Sequence, residues 1–117
     1  MTYELEFDPR AYREWNKLDA TIKAQFKKKL RNVLRNPQPD NARLRHFPDC
    51  YKIKLRASGY RLIYQVRDKV VTVFVVAIGK REKAAVYRET GKRLEWFLAQ
   101  VMHDLVTAAA PDKHRIF

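Results

Sequence analysis

Lys52, Lys54, Arg61, Arg81 and Tyr87 fall in and just beyond a strongly β-patterned stretch that holds no histidine and almost no carboxylate to balance them. Such a set can grip and polarise an anion, and phosphate is the obvious one. Residues 50–67 read CYKIKLRASGYRLIYQVR. Strand side chains alternate between faces, so Lys52, Lys54 and Arg56 share one side while Tyr51, Ile53 and Leu55 point to the other, into a core. Like charges opposed across strands are destabilising unless an anion lies between them. A merely solvated face would mix signs. Neither hairpin strand carries a single Asp or Glu.

The elements that must position these groups follow from the flanking patterns. Tyr3 to Phe7 alternates apolar and acidic residues, as a half-buried strand does, and Asp8-Pro9 then supplies an N-cap and a first-turn proline for a helix to about Leu18. A second helix begins near Asp19 or Ala20, with Ile22, Phe26, Leu30, Val33 and Leu34 as its apolar stripe and Lys23, Lys27, Lys28, Lys29, Arg31 and Arg35 on its flanks. Asn36-Pro37 ends it, and PQPDNAR reads as a surface loop. Taken as a tight two-residue turn, Ser58-Gly59 opposes Arg56 to Arg61, Lys54 to Ile63 and Lys52 to Gln65. After a turn at Arg67-Asp68-Lys69, the run from Val70 to Ile78 suits a central strand covered on both faces, ended by Gly79. Arg81 follows at its carboxyl end, and a helix from about Lys83 carries Tyr87 one turn on. The order β-α-α-β-β-β-α implies an α+β domain in which a helical pair covers one face of a small, mostly antiparallel sheet, leaving the other face to function.

Whole-chain properties narrow the function classes. The 117 residues suit one domain that buries roughly two thirds of its unfolded surface. With 25 Lys and Arg against 13 Asp and Glu, a formal charge of +12 and a pI near 10.1, nucleic acid or an acidic protein is the default partner. No stretch approaches the roughly 18 apolar residues of a spanning helix, and MTYELEFDPR does not resemble a signal peptide, so a cytoplasmic protein without a membrane role is expected. A lone Cys50 with scattered His46, His103 and His114 has no zinc-site spacing, and neither metal nor cofactor is implied. His46, beside Arg45 in a loop, is of the kind more often solvated than catalytic.

LRHFPDCYK, YKIKLRASGYRLIYQV and VFVVAIGKREKAAVY, together with EFDPRAYREWNKL and KKKLRNVL, resemble in order the RelE family of bacterial toxin–antitoxin toxins, over roughly residues 1 to 95. The resemblance implies an endoribonuclease that enters the ribosomal A site and cuts mRNA within the codon, inhibiting translation. It also implies a RelB-like antitoxin partner that covers the basic face. The family's functional positions fall on Lys52, Lys54, Arg61, Arg81 and Tyr87, with Arg45 as a further RNA contact, and the face pattern adds Arg56.

Metal-free RNA cleavage uses the neighbouring 2′-hydroxyl as nucleophile and needs a base, cations for the phosphorane and an acid for the 5′-oxygen. Lys54 is the proposed base, with Tyr87 its rival. A second cation about 5 Å away opposes the lysine charge by about 3 kcal/mol at an effective dielectric near 20, which lowers its pKa by roughly two units. Arg61 and Lys52 then hold the non-bridging oxygens, Arg81 stabilises the leaving oxygen, and Tyr87 stacks on or orients a base. Two rivals stand beside this reading. A gyrase-poisoning toxin of the ParE type shares the architecture without using the cations, and a plain RNA-binding module would bind in a salt-dependent way without cutting. Residues 96–117 form an additional segment whose apolar positions fit a helix that extends the last one, with Leu94, Phe97, Leu98, Val101, Leu105 and Val106 on one stripe that packs on the body or on a second subunit.

Overall fold

A computed structural model describes residues 2–45, 47–80 and 86–95. Strand β1 (Glu4–Phe7) leads through Asp8 into helix α1 (Pro9–Asn16), where the Asp8 carboxylate accepts from the Arg10 backbone N–H at 2.8 Å. Helix α2 (Ala20–Arg35) starts the same way, with Asp19 accepting from the Ile22 N–H at 2.9 Å. Both caps satisfy donors that a helix start leaves unpaired. A short 3-10 turn, Asp40–Ala42, lies in the loop that follows. Then come β2 (Cys50–Leu55), β3 (Tyr60–Arg67), β4 (Thr72–Lys80) and a helical stretch over 86–95, here α3.

The sheet runs β1-β4-β3-β2, antiparallel except for the β1/β4 pair, so the α+β expectation and its element order hold. On one face α1 lies against β4 and α2 against β2. There Trp15, Phe26 and Leu30 pack with Tyr51, Leu62, Tyr64, Val73 and Val75 in the main core. Burial of this apolar stripe, at about 25 cal/mol per Å², drives both helices onto the sheet.

Three expectations need correction. The hairpin turn spans 56–59, not two residues, and pairs Lys54 with Arg61, Lys52 with Ile63 and Cys50 with Gln65. A two-residue type I′ turn requires φ > 0 at both central residues. Only Gly59 has it (φ 78°), and its N–H closes a longer loop onto the Leu55 carbonyl at 2.9 Å. Arg56 therefore sits exposed in the turn and does not extend the strand's cationic row. Gly79 lies within β4, which continues to Lys80. Finally, the outer face of the sheet is not all open. Ile63 and Ala77 form a second, smaller cluster there with Val86 of α3, packed by Leu44 and Tyr87.

Strand β4 changes phase along its length. Ile63 pairs with Ala77 and Tyr64 with Val75, so Val76 has no Cα partner on β3, and β1 pairing ends at Phe7↔Val75. This β-bulge lets Val73 and Val75 face the main core while Ala77 and Gly79 face α3. Where β1 runs out, side chains complete the strand. Ile78 N–H donates to Glu14 Oε1 at 3.1 Å and Arg93 Nη1 donates to the Val76 carbonyl at 3.0 Å. Arg93 also clasps Glu14 through both terminal nitrogens, at 2.7 and 3.0 Å, tying α1, β4 and α3 together.

Candidate nucleic-acid interface and active site

The β2/β3 register brings Lys54 and Arg61 directly opposite each other on the outer face, with Lys52 two residues along the same row. Directly opposed residues have Cα atoms about 4.5–5.5 Å apart, so the two cationic groups share one small volume. Gly79 is the β4 partner of Arg61. A Cβ there would stand 3.4 Å from Val86 Cβ, in ordinary contact, so α3 packs directly over this position.

Arg61 is 5% exposed, and among the described residues its side chain has one hydrogen-bond partner, the Tyr60 carbonyl at 3.0 Å from Nη1. A guanidinium carries five N–H donors and keeps its charge, so a buried arginine with one neutral partner has donors to spare for an anion. Lys52 and Lys54 are half-buried beside it.

Two concavities flank the row. One is a groove of about 710 Å³ between α2 and β2, where Lys29, Lys52, Lys54 and Arg56 surround a floor that includes Val33 and Ile53. Lys29 Nζ donates to the Lys54 carbonyl at 3.0 Å, which fixes its charge against the strand edge. The other, of about 450 Å³, is bounded by Arg43, Leu44, Arg45, Phe47, Lys52 and Tyr87. The structure thus joins Arg45, Lys52 and Tyr87 at one pocket and Arg56, Lys52 and Lys54 at the other. Arg81 and His46 lie outside the described residues.

Sequence reasoning did not single out Lys29, Arg43 or Phe47. For Lys29 a signal existed, because it lies three residues after Phe26 and four before Val33, on the edge of the apolar stripe where a helix meets its sheet. Arg43 is brought in by a bridge to Tyr51 that no local pattern announces, with its guanidinium 5.1 Å from the Tyr51 ring centroid.

The remaining titratable groups nearby are structural. Burial pushes the Cys50 thiol up to about 12, with Asp49 adding to the rise and Arg67 opposing it, so this thiol is no nucleophile near neutral pH. Arg67 is lowered to about 10, chiefly by burial, and stacks 3.8 Å from the centroid of the Phe74 ring.

Comparison with known proteins gives the chain a family. The chain is 56% identical over 94 residues to the mRNA interferase toxin RelE of Escherichia coli strain K12, covering 80% of this chain and 99% of that protein. It belongs to the RelE family of type II toxin–antitoxin toxins. Residues 5–85 match the family described as ParE toxin of type II toxin-antitoxin system, parDE. A solved E. coli RelE mutant in the free state superimposes with TM-score 0.75 at 56% identity, over 80% of this chain and 98% of that one. RelE in the intact E. coli RelBE toxin–antitoxin complex gives 0.67 at 57% identity, over 68% and 98%.

Proposed function

We propose that this RelE-family chain is the toxin of a toxin–antitoxin pair, an endoribonuclease that cleaves mRNA in the ribosomal A site and so inhibits translation. The observation that carries the reading is the opposition of Lys54 to a buried Arg61 that has no acid partner among the described residues, a site in want of a phosphodiester. The name and complexes of the E. coli relatives support it, as does the basic groove beside the row. Lys54 acts as base on the 2′-hydroxyl, Arg61 and Lys52 bind the non-bridging oxygens, and Arg81 stabilises the leaving oxygen. Tyr87 orients a base, while Arg45 and Arg56 hold the flanking backbone. Without a histidine pair poised near neutrality, the reaction depends on a scaffold that bends the message into line. The ribosome provides it, which places the protein in the cytoplasm. No helix among the described residues is long and apolar enough to cross a membrane.

A RelB-like antitoxin is the expected protein partner, covering the cationic face. Residues 1–95 carry the toxin fold, and 96–117 are an addition to it, a division supported by the 94-residue match that spans 99% of the E. coli protein. A chain ended after Glu95 is expected to fold and cut as the full chain does; lost folding would make the segment part of the domain.

The test is single-turnover cleavage on programmed ribosomes, read by primer extension. Wild-type protein is expected to cut within the A-site codon, and Arg61→Ala to lower the rate by on the order of a hundredfold. The family match to ParE favours one second reading, a gyrase poison. Intact message together with trapped gyrase–DNA complexes would move the assignment there.

A further inference from the structure

We propose that Glu14 and Arg93 are positioning residues for the cleavage site, holding α3 at the rotation that keeps Tyr87 beside the cationic row. The inference rests on the nuclease reading above. Its basis is the unequal character of the contacts at the two ends of the helix. At the near end Val86 packs with Ile63 and Ala77 and covers Gly79, an apolar contact without direction. At the far end, about 10 Å along the axis, Arg93 makes directed bonds to Glu14 and to the Val76 carbonyl. Val86, Thr90 and Arg93 follow one another at helical spacing and share the buried face, with Thr90 Oγ1 donating back to the Val86 carbonyl at 2.7 Å.

A helical stretch as short as 86–95 is marginal on its own, so tertiary contacts decide where it lies. Glu14 belongs to the helical layer on one side of the sheet and Arg93 to α3 on the other, and they meet at the part of β4 that β1 leaves uncovered beyond Phe7. Only a guanidinium fork can serve both carboxylate oxygens and a backbone carbonyl at once. Glu14 Oε1 also takes the Ile78 N–H, at 3.1 Å, so the carboxylate is itself held by the strand. A slip of one residue would turn α3 by about 100° and carry the guanidinium off that edge.

Tyr87 feels that rotation directly. It follows Val86 on the helix, packs against the cluster of Ile63, Ala77 and Val86, and borders a pocket together with Lys52. Ile63 is the Cα partner of Lys52, so the tyrosine reaches the cationic row across the strand pair that carries it. A displacement of about 1 Å in a positioned group can cost on the order of a hundredfold in rate. The clasp therefore governs the site without touching the message.

The experiment compares wild type with Arg93→Lys, which keeps the charge but loses the fork, and with Glu14→Gln, which keeps an acceptor for the Ile78 N–H but loses the charge. Single-turnover cleavage on programmed ribosomes is followed across toxin concentrations, under conditions where urea unfolding shows each variant folded. Arg93→Lys is expected to lower the maximal rate about tenfold and to leave the half-saturating concentration within about twofold, since message binding does not pass through the clasp. Added to Tyr87→Ala, either substitution is expected to cost less than about twofold further, because the group it positions is already gone. A merely structural loss would multiply with the Tyr87 loss instead. A 3-fluorotyrosine at position 87 gives a reading that needs no ribosome, its fluorine NMR resonance being expected to move or broaden in both clasp variants. Glu14→Gln carries every comparison if Arg93→Lys does not fold. Unchanged rates, losses that multiply with Tyr87→Ala, or a resonance that matches wild type overturn the proposal. A resonance that moves in a protein that cuts no message supports the clasp and removes the nuclease reading instead.

Discussion

Arg61 and Arg93 are equally hidden, each 5% exposed, yet their surroundings differ in kind. Arg93 is clasped by both oxygens of Glu14, lies near Glu89 and donates to a strand carbonyl. Its pKa is raised despite burial, because hydrogen bonding and charge from Glu14 outweigh the loss of water. Arg61 has the Tyr60 carbonyl and no acid among the described residues. A buried charge is tolerable only when paired. The first arginine is paired by acids of the fold, although its Nε makes no hydrogen bond, and the second has no acid beside it among the described residues. Placement in a protein interior therefore does not by itself mark a charge as structural; the account of its partners does.

The contrast can be broken experimentally, beginning where the effect is largest. Glu14→Ala strands the Arg93 guanidinium and the Ile78 N–H together and is expected to cost about 3 kcal/mol or more in urea unfolding. A loss under 1 kcal/mol would show that Arg93 is no better neutralised than Arg61. At the other arginine the signs reverse. Arg61→Met should remove cleavage while holding stability level or raising it by about 1 kcal/mol, because a desolvated charge gives way to an apolar chain; marked destabilisation would show that Arg61 has partners in the fold. The smallest effect sharpens the comparison from the ligand side. Sulfate at ten times its dissociation constant is expected to stabilise the wild type by about 1.4 kcal/mol, through RT ln(1 + [L]/Kd), and to do so far less in Arg61→Met. Equal stabilisation of both proteins would place the anion elsewhere.

Much of this was legible in the chain because it was local. Asp8-Pro9 and Asp19 announce the helix starts by their own capping chemistry, and the stripe from Ile22 to Leu34 is the buried face of α2. The cationic row was legible through strand alternation alone. What alternation could not give was register, since Ser58-Gly59 has the composition of a tight turn but only one of the two backbone conformations such a turn needs. The correction brought Lys54, not Arg56, opposite Arg61 and made the site more compact. The partial cover over the outer face was also hidden. Ile63 and Ala77 meet Val86 through tertiary packing, and the Glu14–Arg93 clasp joins residues 79 positions apart.

The unpartnered Val76 has a consequence for what insertions and deletions can do to this protein. Downstream of it, odd-numbered residues serve the side packed by α3; upstream, odd-numbered residues serve the opposite layer. Removing Val76 would let the ladder zip straight with Ala77 still opposite Ile63, whereas adding one more residue there than the bulge absorbs would turn Ala77 and Gly79 toward the wrong layer, unseating the helix that carries Tyr87. In a stretch where one branched apolar residue could replace another at little cost, the number of residues is under tighter control than their identity.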